Sequence, residues 1–259
     1  MSLVLIKYIL MAAVRDKLLW GIAAMSILGI CLSIFSGSAA VVEQNQFILT
    51  YMAGGLRIIA LLGLTLFTIF YVRRSFDSRD VEFLLTRPIS KLSFIFSHVI
   101  AFSILTVVSG LFISVIMSVV AYHYDVHSSF YLWCFGITFE LMIVVNVAFF
   151  FSMVLSSPVT AGMATFGFYM LARLMGQLLS ILHHTPHPVS TQDYIMNGLG
   201  HLVSVISVIF PRLDLLAQTS WLIYGGGRFS DWIFIVAQGV AFLSLASVAT
   251  LIDLRRRQF

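Results

Sequence analysis

The sequence predicts an all-α integral membrane protein with six transmembrane helices. Of its 259 residues, 60% are hydrophobic and only 10% are charged, and the mean hydropathy is +1.01. Soluble domains carry about a quarter of charged residues. A helix that crosses the hydrocarbon core needs about 20 mostly apolar residues, and the chain offers six such runs. Because these runs occupy most of the chain, we expect residues 1–259 to form a single transmembrane domain.

The predicted spans follow a short N-terminal stretch. They are residues 18–40, 50–72, 92–122, 131–155, 159–182 and 230–252. The N-terminal stretch does not resemble a cleaved signal, because Lys7 interrupts it and Arg15-Asp16-Lys17 follows where small residues would be needed. We predict that residues 1–14 form an amphipathic helix on the cytoplasmic membrane surface.

The distribution of Lys and Arg predicts the orientation. If the N-terminus is cytoplasmic, only Arg212 and Arg228 fall on the outer side. Eleven cations fall on the cytoplasmic side: Lys7, Arg15, Lys17, Arg73, Arg74, Arg79, Arg87, Lys91, Arg255, Arg256 and Arg257. This bias predicts a multi-pass protein of the cell (inner) membrane with both termini in the cytoplasm. The net charge of +4 then reflects topology and contact with anionic lipids, and it gives no reason to expect a nucleic-acid partner.

The connection before the last span, residues 183–229, is the longest. Within it, IMNGLGHLVSVISVIF at 195–210 is apolar but too short to cross a membrane, and Asp193 and Pro211 bound it. We predict a re-entrant or interfacial helix on the outer face, because an apolar stretch of this length does not stay in free solvent.

The connection between the second and third spans contains a charged segment, SRDVEFLLTRPISKLSFIFSH, at 78–98. A short helix over 80–87 is favoured, and Pro88 ends it. One interpretation is a basic topology anchor. The mixture of signs favours a second interpretation, because Asp77, Asp80 and Glu82 would be repelled by an anionic leaflet and suit a protein partner better.

The stretch EFLLTRPISK, residues 82–91, resembles the motif between the second and third spans of type-2 ABC exporter permeases, including those related to copper-enzyme maturation permeases. Four other features are also similar to that family: the N-terminal surface helix, the six spans, the Ser156-Ser157-Pro158 link and the stretch FPRLDL at 210–215 on the predicted outer face. The chain departs from the family pattern at Lys91, where Arg is usual.

The resemblance implies that residues 78–90 are a coupling helix, which docks in a cleft of an ATP-binding subunit. The residues implied to contact that subunit are Arg79, Asp80, Glu82, Leu85, Arg87 and Lys91. The family arrangement also implies a homodimer of this chain with two ATP-binding subunits. ATP and Mg would be held by those subunits, with no cofactor bound by this chain.

The residues themselves argue against enzymatic activity in this chain. A P-loop needs Gly directly before its Lys, whereas the three lysines follow Ile6, Asp16 and Ser90. The motifs of a zinc protease helix and of a rhomboid-type serine protease are also absent from the sequence. Together with the resemblance to ABC exporter permeases, this favours a transport subunit. The alternative is a membrane anchor that tethers a soluble cytoplasmic partner without transporting anything.

Two groups of polar residues are candidates for function. Five histidines are predicted near the outer face and would bind copper or zinc if they converge: His123, His127, His183, His184 and His187. Interfacial histidines without a metal are the competing interpretation.

The second group consists of intramembrane charges. Glu140 and Arg173 each lie nine residues from the predicted outer ends of the fourth and fifth spans, so they should share a depth. Arg57 lies in the same outer half of the second span. Each charge is expected to face protein or water, because an isolated charge in lipid is costly. They either fix the packing of the spans or form a polar lining of a substrate path.

Overall fold

The computed structural model describes residues 3–38, 44–77, 90–121, 129–184 and 210–256. Within these ranges all regular secondary structure is helical. The helices are α1 Leu3–Arg15, α2 Leu18–Ser38, α3 Gln44–Asp77, α4 Lys91–Ala121, α5 Phe130–Val154, α6 Pro158–His184, α7 Ser220–Ile223 and α8 Phe229–Arg256. A 3-10 helix at Leu213–Leu215 lies between α6 and α7.

Five of the described helices are long and apolar enough to cross a membrane: α2, α3, α4, α5 and α8. The prediction of a helical membrane protein is therefore confirmed in this coarse form. The fifth predicted span lies within α6, which has 27 residues but carries Arg173 and Gln177 in its second half. Helix α6 is not among these five, and its crossing stays a prediction. The predicted outer helix at 195–210 lies outside the described residues, apart from Phe210.

Helix α5 forms the centre of the bundle. Helices α3, α4, α6 and α8 all pack against it, and buried residues occur on every side of it. A helix that is apolar all round is expected in such a position. Helix α2 packs on the outside of α3 and stays largely exposed, and α1 packs against α4 and α2. The bundle therefore has two well-buried inner helices, α3 and α5, within a ring of more exposed ones.

An aromatic cluster joins α4 to α5. His98 on α4 is buried, and its ring stacks on Phe149 of α5 with 5.4 Å between ring centroids. The rings of Phe94 and Phe102 lie on the same helix as His98 and pack around it. Its Nδ1 lies 2.9 Å from the Phe94 carbonyl oxygen. These contacts give His98 a packing role between the two helices.

One end of the bundle gathers the turn after α1, the end of α3, the start of α4 and the end of α8. Arg74 Nη1 lies 3.1 Å from Asp16 Oδ2, which joins α3 to the turn between α1 and α2. Lys91 Nζ donates to the Leu254 carbonyl oxygen at 3.1 Å, which joins α4 to α8. Asp77 and Ser90, the described residues on either side of segment 78–89, lie at this end of the bundle. We name it the basic end for its Lys and Arg residues.

We expect α6 to cross the membrane, so that the exposed residues Ser156 and Ser220 face opposite sides. The test is cysteine substitution at each position in a chain whose Cys31 and Cys134 have been replaced by alanine, followed by labelling of intact cells with an impermeant maleimide. Only the cysteine at Ser220 should react before the cells are lysed. A third cysteine at Asn197 should behave like the one at Ser220. Reaction of Ser156 and Ser220 from the same side would contradict a six-span topology.

Candidate functional site

Three charged side chains from three helices meet inside the bundle. Arg57 of α3 places Nε 3.4 Å from Glu140 Oε2 of α5. Arg173 of α6 places Nη1 3.5 Å from Glu140 Oε1. The exposed fraction of the side chain is 0% for Glu140, 7% for Arg57 and 24% for Arg173. The sequence singled out these three residues, and the structure brings them into one cluster, which we name the Arg–Glu–Arg cluster.

The physical reason for this convergence is the cost of burying charge. Each of the three residues lies within a long apolar helix, and a carboxylate without a partner at such a place costs several kcal/mol. Helices α3 and α6 both pack against α5 and also contact each other, so both arginines reach the same carboxylate. Two cations and one anion leave the cluster with a formal charge of +1.

The tyrosine at position 169 belongs to the cluster but was missed by sequence reasoning. Tyr169 Oη donates to Glu140 Oε1 at 3.3 Å, and its ring is buried. Tyr169 precedes Arg173 by one helical turn, so both side chains lie on the same face of α6. That spacing could have predicted the role of Tyr169, since a polar side chain one turn from a buried arginine can reach the same buried carboxylate.

Both arginines also hold the segment around the 3-10 helix. Arg173 Nη1 donates to the carbonyl oxygens of Leu213 and Leu216 at 2.6 and 3.1 Å. Arg57 Nη2 donates to the carbonyl oxygen of Ala217. We name residues 213–217 the outer segment. Its Leu213, Leu216 and Ala217 side chains are buried, so the segment forms a packed cover over the cluster.

The outer segment follows a close, specific path across α5 and α6. A Cβ atom on Gly136 of α5 would lie 2.6 Å from the backbone nitrogen of Ala217. Ala217 adopts a left-handed backbone with φ 48°, which is uncommon for a residue other than glycine. At its other end, Asp214 pairs with Arg212 at 2.8 Å and lies against Gly176 of α6. The absence of side chains at Gly136 and Gly176 therefore allows the segment to lie directly on the helices.

The other sequence-predicted residues lie mostly outside the described part of the chain. Five of the six residues implied to contact an ATP-binding subunit are there: Arg79, Asp80, Glu82, Leu85 and Arg87. Lys91 is described and contacts α8. Ser90 Oγ accepts a hydrogen bond from the Ser93 backbone N–H at 3.1 Å, so it caps the start of α4.

The side chains of the five histidines proposed for metal binding all lie outside the part of the chain that the structure describes. His123, His127 and His187 lie outside the described residues, and only the backbone of His183 and His184 is described, at the end of α6. Across the described ranges, no group of three or more His, Cys, Asp or Glu side chains could hold a metal ion. The metal hypothesis therefore stays a prediction from sequence alone.

No protein-family model matches this chain, and no curated protein is significantly similar to it. The function proposed below therefore rests on the sequence of residues 82–91 and on the geometry of the helices that flank it. The Arg–Glu–Arg cluster and the outer segment lie in the described structure, so a change in their contacts can report on that function.

We expect Glu140→Gln to destabilise the protein strongly, because it leaves two buried arginines without their counter-ion. Breaking a buried ion pair on one side costs about 3–5 kcal/mol. The measurement is thermal unfolding of the purified protein in lipid nanodiscs. The double variant Glu140→Gln/Arg57→Gln should recover part of the loss, because Arg57 is the more deeply buried cation. Tyr169→Phe is the matched control and should cost only about 0.5–1.5 kcal/mol, the value of one hydrogen bond. Equal effects of Glu140→Gln and Tyr169→Phe would contradict a shared cluster.

A second prediction concerns the close approach of the outer segment to α5. Gly136→Ala should displace the segment, since its new Cβ meets backbone that cannot rotate away. A cysteine at the fully buried Leu216 should then react severalfold faster with an impermeant maleimide. Gly167→Ala is the control, because a Cβ at Gly167 meets nothing within 4 Å; it should leave the labelling rate unchanged. An unchanged rate in Gly136→Ala would show that the segment does not lie directly on α5.

Proposed function

We propose that this chain is the transmembrane permease subunit of an ABC exporter. Residues 78–90, which we name the coupling segment, would contain the coupling helix that docks on a separate ATP-binding subunit. The support from sequence is the EFLLTRPISK motif, which combines a short amphipathic helix, mixed charges and a proline stop. The support from structure is the way in which the flanking helices connect this segment to the Arg–Glu–Arg cluster.

The observation that carries the proposal is the continuity of α3. This helix runs without interruption from Gln44 to Asp77, directly before the coupling segment. Arg57 lies 20 residues before Asp77, or about 30 Å along a helix that rises 1.5 Å per residue. A rigid helix transmits a displacement at one end to the other. Movement of the coupling segment would therefore reach the cluster and the outer segment.

Contacts at the basic end hold both helix ends that flank the coupling segment. Arg74, three residues before the end of α3, is tied to Asp16, and Lys91, the first residue of α4, is tied to Leu254. Exposed ion pairs such as Arg74–Asp16 contribute only about 0–1 kcal/mol each. They hold the resting arrangement without preventing a docked partner from shifting it.

The proposed topology has six spans and both termini in the cytoplasm of a cell (inner) membrane. The basic end would be cytoplasmic, because cytoplasmic segments carry the excess of Lys and Arg. Helix α1 would lie along the membrane surface: it buries Ile9 and Ala13 against the bundle while Leu3 and Val4 stay exposed. The outer segment and the cluster beneath it would then face the opposite side.

The proposed assembly is a homodimer of this chain with two ATP-binding subunits, which would supply ATP and Mg. A twofold interface is made of the same surface on both copies. In the family that the motif resembles, the substrate path lies at that interface. The cluster is enclosed within one subunit in the described structure, so its proposed role is to hold the outer segment. We do not assign it to the lining of the path.

The decisive experiment compares two double variants of the chain in a complex purified with its ATP-binding subunit. Glu82→Ala/Arg87→Ala removes one anion and one cation from the motif. Arg73→Ala/Asp77→Ala removes an exposed ion pair of 3.1 Å just before the motif and is the matched control. A cysteine at Leu216 reports on the outer segment through its labelling rate, with and without vanadate-trapped nucleotide.

In the unmutated complex and in the control, trapped nucleotide should change the labelling rate at Leu216. In Glu82→Ala/Arg87→Ala, ATP hydrolysis should persist, while the labelling rate should no longer depend on nucleotide. Only contacts that differ between two states can carry such coupling. A nucleotide response that survives in the motif variant would contradict the role of the coupling segment. A labelling rate that never responds to nucleotide, even without mutation, would favour the inert membrane anchor.

A further inference from the structure

A groove opens between α4 and α8 at the basic end of the bundle. Its volume is about 260 Å³. Six of the residues that line it are Leu92, Ile95 and Val99 of α4 and Ser244, Ser247 and Leu251 of α8. The groove is open along one side, where Phe96 and Val248 are exposed. The groove is therefore accessible from the surface of the bundle.

The groove wall is apolar even where it contains serine. Ser244 Oγ donates to the Ala241 carbonyl oxygen at 2.8 Å, and Ser247 Oγ donates to the Leu243 carbonyl oxygen at 2.7 Å. Both hydroxyl protons are thus used within α8. The remaining surface consists of methyl, methylene and aromatic groups, which suit a hydrocarbon ligand.

The length and direction of the groove fit one acyl chain. From Leu92 to Val99 the α4 wall extends over seven residues, or about 10 Å along the helix. The hydrocarbon of one leaflet is about 15 Å thick, half of the bilayer core. The groove starts at the first turn of α4 and runs toward the middle of the membrane, as the chain of a phospholipid does.

The rim of the groove is cationic. Lys91 directly precedes Leu92, and its Nζ lies at the end of α8 through its bond to the Leu254 carbonyl oxygen. Arg255 and Arg256 follow Leu254 and are exposed. Asp253 is the acidic residue in this last turn of α8. Among the described residues of the rim, three cations stand against one anion, and this net positive charge complements the headgroup of an anionic phospholipid.

We propose that this groove binds the acyl chain of an anionic phospholipid of the cytoplasmic leaflet, whose headgroup contacts Lys91, Arg255 and Arg256. Charge also decides against a second copy of the chain as the occupant. A twofold interface through this groove would place the same three cations of each copy opposite each other. The assignment to the cytoplasmic leaflet rests on the orientation proposed above, and Lys91 is shared with the implied contacts of the ATP-binding subunit, whereas Arg255, Arg256 and the groove itself are not.

The test is photolabelling of the full-length protein in vesicles with phosphatidylglycerol that carries a diazirine on its acyl chain. Mass spectrometry should locate the label at residues 92–99 and 243–251. Unlabelled phosphatidylglycerol should compete with the label better than phosphatidylcholine does. Each cation removed in Lys91→Gln, Arg255→Gln and Arg256→Gln should lower this preference about fivefold. Labelling spread evenly over all exposed helices would overturn the proposal.

Two variants separate a site from general lipid contact. Ser247→Leu fills the groove and should reduce labelling of 92–99 at least severalfold. Ser118→Leu makes the same change at an exposed serine of α4 outside the groove and should not reduce it. Equal labelling in Ser247→Leu and the unmutated protein would overturn the proposal. Efficient disulfide formation between two copies through a cysteine at Val248 would also overturn it, because it would make the groove a protein interface.

Discussion

The structure depends on one constraint, which is that the carboxylate of Glu140 lies where water does not reach it. A buried carboxylate is tolerated only when cations and hydrogen-bond donors surround it. Arg57 and Arg173 supply the countercharges and Tyr169 donates to Oε1, while Oε2 has its ion pair with Arg57 at 3.4 Å but no hydrogen bond; these contacts fix the depths of α3, α5 and α6 relative to one another. The remaining donors of the two arginines then reach the carbonyl oxygens of the outer segment. A single buried charge thus determines both helix register and the position of an outer connection.

The energies of these contacts indicate which of them can change during a functional cycle. Separating Glu140 from its arginines would leave buried charges uncompensated, at a cost of about 3–5 kcal/mol. Each bond from an arginine to a carbonyl oxygen contributes about 1.5–3 kcal/mol, and water can replace that carbonyl at the less enclosed Arg173. The carbonyl oxygens of Leu213 and Leu216 can therefore separate from Arg173 while the ion cluster stays intact, whereas the bond from the buried Arg57 to Ala217 keeps that end of the segment in place. Under the proposed function, displacement transmitted by α3 would act first on the outer segment.

The sequence was sufficient to predict the helical membrane class and to single out the intramembrane charges Arg57, Glu140 and Arg173, because both depend on the composition of single helices. Equal distances from the span ends placed Glu140 and Arg173 at one depth, and the structure has them in contact. Helix α3 begins at Gln44, six residues before the predicted span at 50–72, because Gln44, Asn45 and Gln46 are polar yet helical, and hydropathy detects only the apolar part of a helix. The contacts of the outer segment could not be predicted, since its carbonyl oxygens carry no side-chain signature. Such contacts depend on tertiary packing.

The inner and outer helices differ in a way that bears on how a docked partner would act. Helices α3 and α5 are the most buried of the five long apolar helices, whereas α2 and α8 are the most exposed. The coupling segment joins α3, an inner helix, to α4, which belongs to the more exposed ring. Force applied to this segment would therefore act on the boundary between core and ring. Lys91 ties α4 to α8, another exposed helix, so under the proposed function α8 would respond together with α4 to a docking event.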